Sequence, residues 1–250
     1  MLCTTEHFLA VVGSRRMTAY GRRFVEEVIP PVLPYGVGII SGLARGIDTL
    51  SHLAALQNQG FTIACLAHGL DSCYPPEHRD IMREIAEEGI LLSEHAPGVK
   101  ALKNFFPARN RLISGLSHAV LLVEAGLNSG SLITAEFAAM QGRDVLAVPG
   151  SVYQPNSVGC NRLIRDGAIP VLDYRDILVA LAIDPAASDV NSDSVSRDPL
   201  LRELSAAPLS EYELAKRLDI PDKELRIRLV AYEAAGFISR SRGMLFLTKS

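Results

Sequence analysis

The chain has 250 residues, which can bury one large hydrophobic core or one large core and a small second one. Its formal net charge is −3, which excludes a uniformly basic nucleic-acid-binding protein, so any polyanion must bind a local patch. No apolar run reaches membrane-spanning length, a secretory signal is lacking, and the four cysteines show no CxxC spacing. We therefore expect a cytoplasmic protein with reduced thiols and no membrane contact.

The first two-thirds of the chain alternate short apolar runs with helix-like segments. Because the apolar runs are continuous, we expect strands that are covered on both faces. Strands that alternate with helices through short loops predict parallel pairing with right-handed crossovers. We therefore predict an α/β fold, an extended Rossmann-like, doubly wound and mostly parallel sheet. The predicted strands are 8–13, 37–41, 62–67, 90–93, 119–124, 145–149 and 170–172, and the predicted helices are 20–33, 48–59, 76–87, 110–116, 131–141 and 161–166.

The stretch SGLARGID, from Ser41 to Asp48, joins the second predicted strand to a helix. Unpaired N–H groups and the helix dipole make such a turn a ready anion site. Gly42 and Gly46 allow close backbone approach, and Arg45 between them suits phosphate oxygens. A tight turn with a solvated arginine is the alternative. Neither the P-loop ending nor GxGxxG is present, so we predict no ATP or NAD chemistry and no cofactor.

Three other predicted strands also end in turns of small residues. The carboxyl ends of parallel strands lie at one edge of a sheet, where doubly wound folds bind their ligands. The four turns together therefore predict a single polar crevice that attracts anions. The additional turns are Gly13-Ser14-Arg15-Arg16 after the first strand, Asn128-Ser129-Gly130-Ser131 after the fifth, and Pro149-Gly150-Ser151 after the sixth.

The segment 100–111, KALKNFFPARNR, interleaves cations with two phenylalanines. This combination suits single-stranded nucleic acid, because phosphates need positive charge and bases need stacking faces. For Phe105 and Phe106 we favour the other interpretation, that they anchor the segment in the core. For Arg109 and Arg111, which flank Asn110 at a predicted helix start, we favour ligand binding.

The sequence contains no convincing catalytic or metal-binding group. The six histidines show no metal-ligand pairing, and neither HExxH nor GxSxG occurs. Asp48 is predicted to cap a helix or to orient Arg45, and Glu124 has no evident acid–base partner. We therefore predict a protein that is not an enzyme and holds no metal.

The composition changes after Asp184. Residues 185–198 are small and polar, which predicts a linker between a Rossmann-like domain, 1–184, and a second domain, 199–250. Three helical segments followed by a hairpin predict a small C-terminal winged helix. Its positive and negative charges nearly cancel, which disfavours duplex DNA recognition and hence a pure transcription regulator.

Short motifs in one order along residues 8–168 resemble those of the DNA-processing protein A family, also called DprA or Smf. Two features depart from the family: its helical N-terminal domain is not seen before the first strand, and His78 stands where members commonly have Asn. The matching motifs are Gly13-Ser14-Arg15, Tyr20-Gly21, SGLARGID, His52 with Ala54-Ala55-Leu56, Gly69-Leu70-Asp71, Tyr74-Pro75, Ser93-Glu94, Phe106-Pro107, Arg109-Asn110-Arg111, Val123-Glu124-Ala125, SGSLITA from Ser129 to Ala135, Ala147-Val148-Pro149-Gly150, and the run Gly159, Asn161, Leu163-Ile164 and Gly167-Ala168.

The resemblance implies a homodimeric, non-enzymatic protein that binds single-stranded DNA and helps to load the RecA recombinase during natural transformation. The competing hypothesis is a Rossmann-like phosphoribohydrolase, although the PGGxGTxxE pattern of those enzymes is lacking. Family and crevice together give the predicted DNA- or phosphate-binding residues: Gly13, Ser14, Arg15, Ser41, Gly42, Arg45, Gly46, Arg109, Asn110, Arg111, Ser129, Gly130 and Ser131.

Overall fold

The computed structural model describes residues 5–185, 199–218, 220–234, 238–241 and 244–247. The chain divides into two compact units, Met1–Ile183 and Asp184–Ser250. Apart from Pro185, the predicted linker 185–198 lies outside the described residues.

Seven parallel strands form the sheet of the first unit, in the spatial order β4-β3-β2-β1-β5-β6-β7. Every strand of β1–β7 lies close to a predicted one, which confirms the doubly wound fold. The central strand β2 is buried at all five positions, because helices cover both faces of the sheet. The strands are β1 His7–Val12, β2 Val37–Ser41, β3 Thr62–Leu66, β4 Ile90–Ser93, β5 Ala119–Leu122, β6 Asp144–Ala147 and β7 Ile169–Pro170.

Seven α-helices pack against this sheet. Residues of α1, α2 and α7 share one hydrophobic core with one face of the sheet, and residues of α4, α5 and α6 share another core with the opposite face. A third cluster joins α3 to β3 and to the turn after β2. The helices are α1 Ala19–Val28, α2 Ile47–Gln57, α3 Arg79–Glu88, α4 Phe105–Gly115, α5 Gly130–Met140, α6 Val158–Arg165 and α7 Tyr174–Ala180.

The helices differ most from their predicted bounds at three places. The helix predicted at 20–33 stops at Val28 and continues as a 3-10 helix, Pro30–Tyr35, because its prolines lack the N–H group that an α-helix needs. Helix α4 begins five residues before the predicted start. Helix α7 was not predicted, although Asp173 and Asp176 form a capping box at its start.

The strand order reverses between β1 and β5. From β1 the chain moves outward through β2, β3 and β4, and it then returns to place β5 on the other side of β1. The turns that follow β1 and β5 therefore leave neighbouring strands in opposite directions. Such a switch point opens a crevice at the carboxyl edge of the sheet, which is the place where doubly wound folds bind ligands.

The second unit contains three helices and a three-stranded antiparallel sheet in the order β8-β10-β9; the three helices and strands β9 and β10 were predicted, whereas β8 was not. Leu200, Leu214, Leu229 and Leu245 belong to its core. None of the described helices of the chain is long and apolar enough to cross a membrane. The elements are α8 Pro199–Ala206, β8 Leu209–Ser210, α9 Glu211–Leu218, α10 Asp222–Ala234, β9 Ile238–Ser241 and β10 Met244–Leu247.

Candidate nucleic-acid interface

A cavity of about 870 Å³ lies at the switch point of the first unit. Its walls come from the turn after β1, the turn after β5 and the first half of α4. Eight of the thirteen predicted residues line it: Gly13, Ser14, Arg15, Arg109, Asn110, Ser129, Gly130 and Ser131. The side chain of Asn110 donates to the carbonyl of Gly130 at 3.2 Å, which ties α4 to the start of α5.

The cavity is not lined by Ser41, Gly42 or Gly46. The Ser41 hydroxyl is buried and donates to the carbonyl of Val11 at 2.6 Å. Gly46 has a φ of +80°, and a Cβ there would approach the Ser14 carbonyl oxygen to 2.2 Å. Gly46 therefore allows close approach to the turn after β1 and not to a ligand.

Arg45 also lies outside the cavity wall. Its guanidinium pairs with Glu77 at 2.5 Å, and the Arg45 side chain is 59% exposed. The predicted orientation of Arg45 by Asp48 is wrong, because the Asp48 carboxylate is buried and accepts a hydrogen bond from the Gly42 N–H at 3.2 Å. Arg111 is likewise turned away, toward Glu94 at 2.5 Å.

Arg15, Arg16 and Lys103 carry the unpaired charge of the cavity. All three line it and are exposed, and no ion pair with a described carboxylate involves any of them. The Arg15 guanidinium carbon lies 5.5 Å from the centroid of the Phe106 ring. A cation above an aromatic face is itself favourable, and it leaves the guanidinium N–H groups free for an anion.

The aromatic rings of segment 100–111 lie elsewhere than predicted. Neither Phe105 nor Phe106 enters the buried core. Phe106 lines the cavity, where its ring centroid is 5.4 Å from that of the exposed Tyr74. Phe105 instead stacks on His95, with 4.2 Å between the ring centroids. The interleaved cations were a sequence signal for Phe106, and Asn128 belongs to a turn that was predicted to form the crevice, whereas no local pattern indicated that Tyr74 or Asn156 would line it.

Arg109 is the buried arginine of the predicted set, with only 5% of its surface exposed. Its Nη1 donates to the carbonyl of Gly42 at 2.7 Å and also to the carbonyl of Cys65. Burial lowers the pKa of Arg109, and the nearby Asp48 carboxylate opposes that shift. Burial raises the pKa of Asp48, against the opposing effect of Arg109 and of backbone hydrogen bonds.

His52 lies in the same buried region. Its Nδ1 is 2.7 Å from the Thr62 hydroxyl, which donates its own proton to the carbonyl of Ile39. Nδ1 must therefore be the donor, and Nε2 is left without a partner among the described residues. Burial lowers the pKa of His52 to about 3, and the charges of Arg109 and His78 act in the same direction.

This shift predicts that stability falls in acid. The His52 pKa drops from 6.5 in the unfolded chain to about 3 in the folded one, so the unfolded chain binds the extra proton between these values. As the pH falls below 6.5, the pKa of the unfolded side chain, we expect His52 to lower the free energy of unfolding by about 1.4 kcal/mol per pH unit. Urea unfolding of the wild-type protein and of His52→Gln across this pH range measures the pH dependence of the free energy of unfolding. Equal pH dependence in the two proteins would contradict the assignment.

Glu124 is buried, with 2% of its surface exposed, beside a second cavity of about 570 Å³. Its two carboxylate oxygens accept hydrogen bonds from the backbone N–H of Thr18, at 2.8 Å, and from the Thr18 hydroxyl, at 2.5 Å. Thr18 also caps α1, so the carboxylate lies at the positive end of a helix dipole. These contacts give Glu124 a structural role. Among the described residues, no cluster of side chains suited to a metal ion occurs.

Comparison with known proteins identifies the family of this chain. The family described as DNA recombination-mediator protein A matches residues 1–182. DNA processing protein DprA of Streptococcus pneumoniae is 48% identical over 170 residues, covering 68% of this chain and 60% of that protein. Protein Smf of Escherichia coli is 40% identical over 247 residues, covering 94% of this chain and 66% of that protein. The chain thus spans less than two-thirds of the length of each of these curated relatives.

A solved structure of DNA processing protein A from Helicobacter pylori superposes with a TM-score of 0.66 at 30% identity, covering 71% of this chain and 81% of that one. It is described as giving insight into that protein's single-stranded DNA binding mode. The sequence resemblance is thereby confirmed at the level of family. On the match over residues 1–182 and the identities to its relatives, the chain belongs to the DNA recombination-mediator protein A family.

Proposed function

We propose that this protein binds single-stranded DNA in the cavity at the switch point. The observation that carries the proposal is the Arg15–Phe106 pair, an unpaired guanidinium 5.5 Å above an aromatic ring on the cavity wall. A single strand presents phosphates and unstacked bases along one path, so cations beside aromatic faces can bind both. In a duplex the bases are already stacked, and their faces cannot reach the Phe106 ring.

The remaining wall is suited to the phosphate backbone. Arg16 and Lys103 add charge on two sides, and α5 begins at Gly130 on the cavity wall, where the positive end of the helix dipole favours an anion. A Cβ at Gly130 would meet nothing within 4 Å, so the backbone there is open to a ligand. None of these contacts depends on the identity of a base, so we expect little sequence preference.

The family supports a role in DNA processing and recombination. The protein would hold single strands that enter the cell during natural transformation and help to load the RecA recombinase onto them in the cytoplasm, acting as a homodimer. The description of the family as a recombination mediator and of the H. pylori relative as a single-stranded DNA binder support this role. The alternative phosphoribohydrolase has no specific support, since the Glu124 carboxylate is occupied by Thr18.

A titration tests the binding proposal. A labelled oligothymidylate and a duplex of the same length are added to the full chain at several salt concentrations. We expect the single strand to bind at least roughly tenfold more tightly, with log K falling linearly against log salt by about 0.7 for each phosphate neutralised. Tighter binding of the duplex, or an affinity that salt does not change, would contradict the proposal.

We also propose that residues 1–184 form the DNA-binding domain and 199–250 an accessory winged helix. Among the described residues, the cores of the first unit contain none beyond Ile183, and the core of the second unit contains only residues from Leu200 onward. Removing the residues after Asp184 is therefore expected to leave the first unit folded, with its single-stranded DNA affinity reduced by less than about threefold. Circular dichroism and the same titration check this. A folded fragment that no longer binds would assign the principal site to the second unit.

A further inference from the structure

Arg109 binds backbone at the carboxyl ends of two neighbouring strands. The pairing of β2 with β3 ends at Ser41 and Ala64; Gly42 directly follows β2, and Cys65 lies within β3, one residue before its end. Both of those residues direct a carbonyl to Nη1 of Arg109, at 2.7 Å for Gly42. One guanidinium thus links the carboxyl edge of the sheet to α4, the helix on which Arg109 lies.

The Gly42 peptide is held on both sides. Its carbonyl accepts from Arg109, and its N–H donates to the Asp48 carboxylate at 3.2 Å. A Cβ on Gly42 would lie only 2.6 Å from the Arg109 Cζ, so no larger side chain fits without displacing the guanidinium. Gly42 therefore makes room for Arg109 and not for a ligand.

The contact has a consequence for the cavity. Arg109 and Phe106 are three residues apart on α4, so they lie on neighbouring turns of the same side of the helix. Asn110, which Arg109 Nε contacts at 3.3 Å, in turn binds the start of α5. The position of Arg109 therefore fixes how far the Phe106 ring stands from Arg15 and from the turn after β5.

We propose that Arg109 is a positioning residue, which sets the Phe106 ring against the cavity by clamping α4 to the carbonyls of Gly42 and Cys65 and which makes no phosphate contact of its own. This inference rests on the proposed binding of single-stranded DNA. It replaces the direct phosphate contact that the sequence predicted for Arg109. It also gives Gly42, the first glycine of SGLARGID, and the first two residues of the Arg109-Asn110-Arg111 motif a shared role in the geometry of the cavity.

The salt dependence of binding separates positioning from contact. Removing a residue that neutralises a phosphate lowers the slope of log K against log salt by about 0.7, whereas moving a stacking ring weakens binding equally at every salt concentration. Arg109→Gln alone would leave the Asp48 carboxylate buried beside no cation, so the variant to use is Arg109→Gln with Asp48→Asn. Gly42→Ala perturbs the same clamp but keeps every charge.

The experiment titrates labelled oligothymidylate into the wild-type chain, Arg109→Gln/Asp48→Asn, Gly42→Ala and, as the contact control, Arg15→Ala. We expect the first two variants to bind roughly tenfold more weakly with the wild-type salt slope, and Arg15→Ala to lose about 0.7 of slope. A lowered slope in the double variant, or wild-type affinity in Gly42→Ala, would overturn the proposal. Failure of the wild-type chain to bind would instead refute the proposed function.

A labelling measurement on the wild-type chain needs no variant to fold. Phenylglyoxal modifies accessible guanidinium groups, and mass spectrometry locates the modified arginines with and without the oligothymidylate. We expect Arg15 and Arg16 to react in the free protein and to be protected by DNA, and Arg109 to be unreactive in both states because it is buried. Reaction of Arg109 in the free protein followed by protection with DNA would show a direct contact and overturn the positioning role.

Discussion

Replacing Arg15 by alanine is expected to weaken single-stranded DNA binding by roughly ten- to a hundredfold, because a charge-assisted contact to phosphate contributes about 1.5–3 kcal/mol. Arg15 is exposed, lines the cavity and has no carboxylate partner in the described part of the chain. The thermal unfolding temperature should change little. Arg15→Lys should recover part of the loss, since an ammonium keeps the charge without the planar fork. Fluorescence titration and thermal unfolding of each variant measure both quantities.

Arg45→Ala is the matched control for this prediction. Arg45 is also an exposed arginine in a turn at the carboxyl edge of the sheet, but it pairs with Glu77 and lies outside the cavity wall. We expect it to change the affinity by less than about threefold, because its guanidinium is already paired with Glu77 and does not line the cavity. If Arg45→Ala weakened binding more than Arg15→Ala, the single-stranded DNA would lie along the SGLARGID turn and not along the Arg15 side of the cavity.

Replacing Phe106 by alanine is expected to weaken binding by roughly five- to a hundredfold, because a base stacked on an aromatic side chain contributes about 1–3 kcal/mol. The loss should be similar at all salt concentrations, since no charge is removed. Phe106→Tyr keeps a flat aromatic face and should bind nearly as the wild-type protein does. Titration of oligothymidylate into the three proteins at low and high salt checks the prediction.

Phe105→Ala controls for general damage to the segment. It removes the same side chain one residue earlier, where the ring stacks on His95 and takes no part in the cavity wall. We expect Phe105→Ala to lower the unfolding temperature at least as much as Phe106→Ala does, while single-stranded DNA affinity is kept. Equal losses of affinity in both variants would mean that the segment, and not the Phe106 face, was responsible.

The backbone of the first unit could be predicted because its signals are local. Continuous apolar runs such as Val37–Ser41 indicate buried parallel strands, and small residues at their ends indicate turns at one edge of the sheet. These two patterns located the crevice at the turns after β1 and β5, but the prediction that the turn after β6 also lines it was wrong, because Gly150 and Ser151 line the second cavity. Helix α7 was not predicted, although Tyr174, Ile177 and Leu178 have the apolar spacing of a helix and its capping aspartates stand just beyond the last predicted strand.

The directions of side chains at the crevice could not be predicted in the same way. Arg45 and Arg109 are both arginines beside small residues, yet one pairs with Glu77 at the surface and the other is buried against Cys65. The difference arises from partners that are distant in sequence, and residue spacing within a motif cannot predict such partners. Phe106 likewise faces the cavity because Arg109, one turn later on the helix, points into the protein.

Photo-crosslinking tests most directly whether single-stranded DNA lies in the cavity at the switch point. An oligothymidylate that carries bromodeoxyuridine is bound to the full chain and irradiated, and the crosslinked residues are identified by mass spectrometry. The expected crosslinks fall on Phe106 and Tyr74, whose rings stand 5.4 Å apart on the cavity wall. Crosslinks confined to residues 199–247, with none on either ring, would contradict the account.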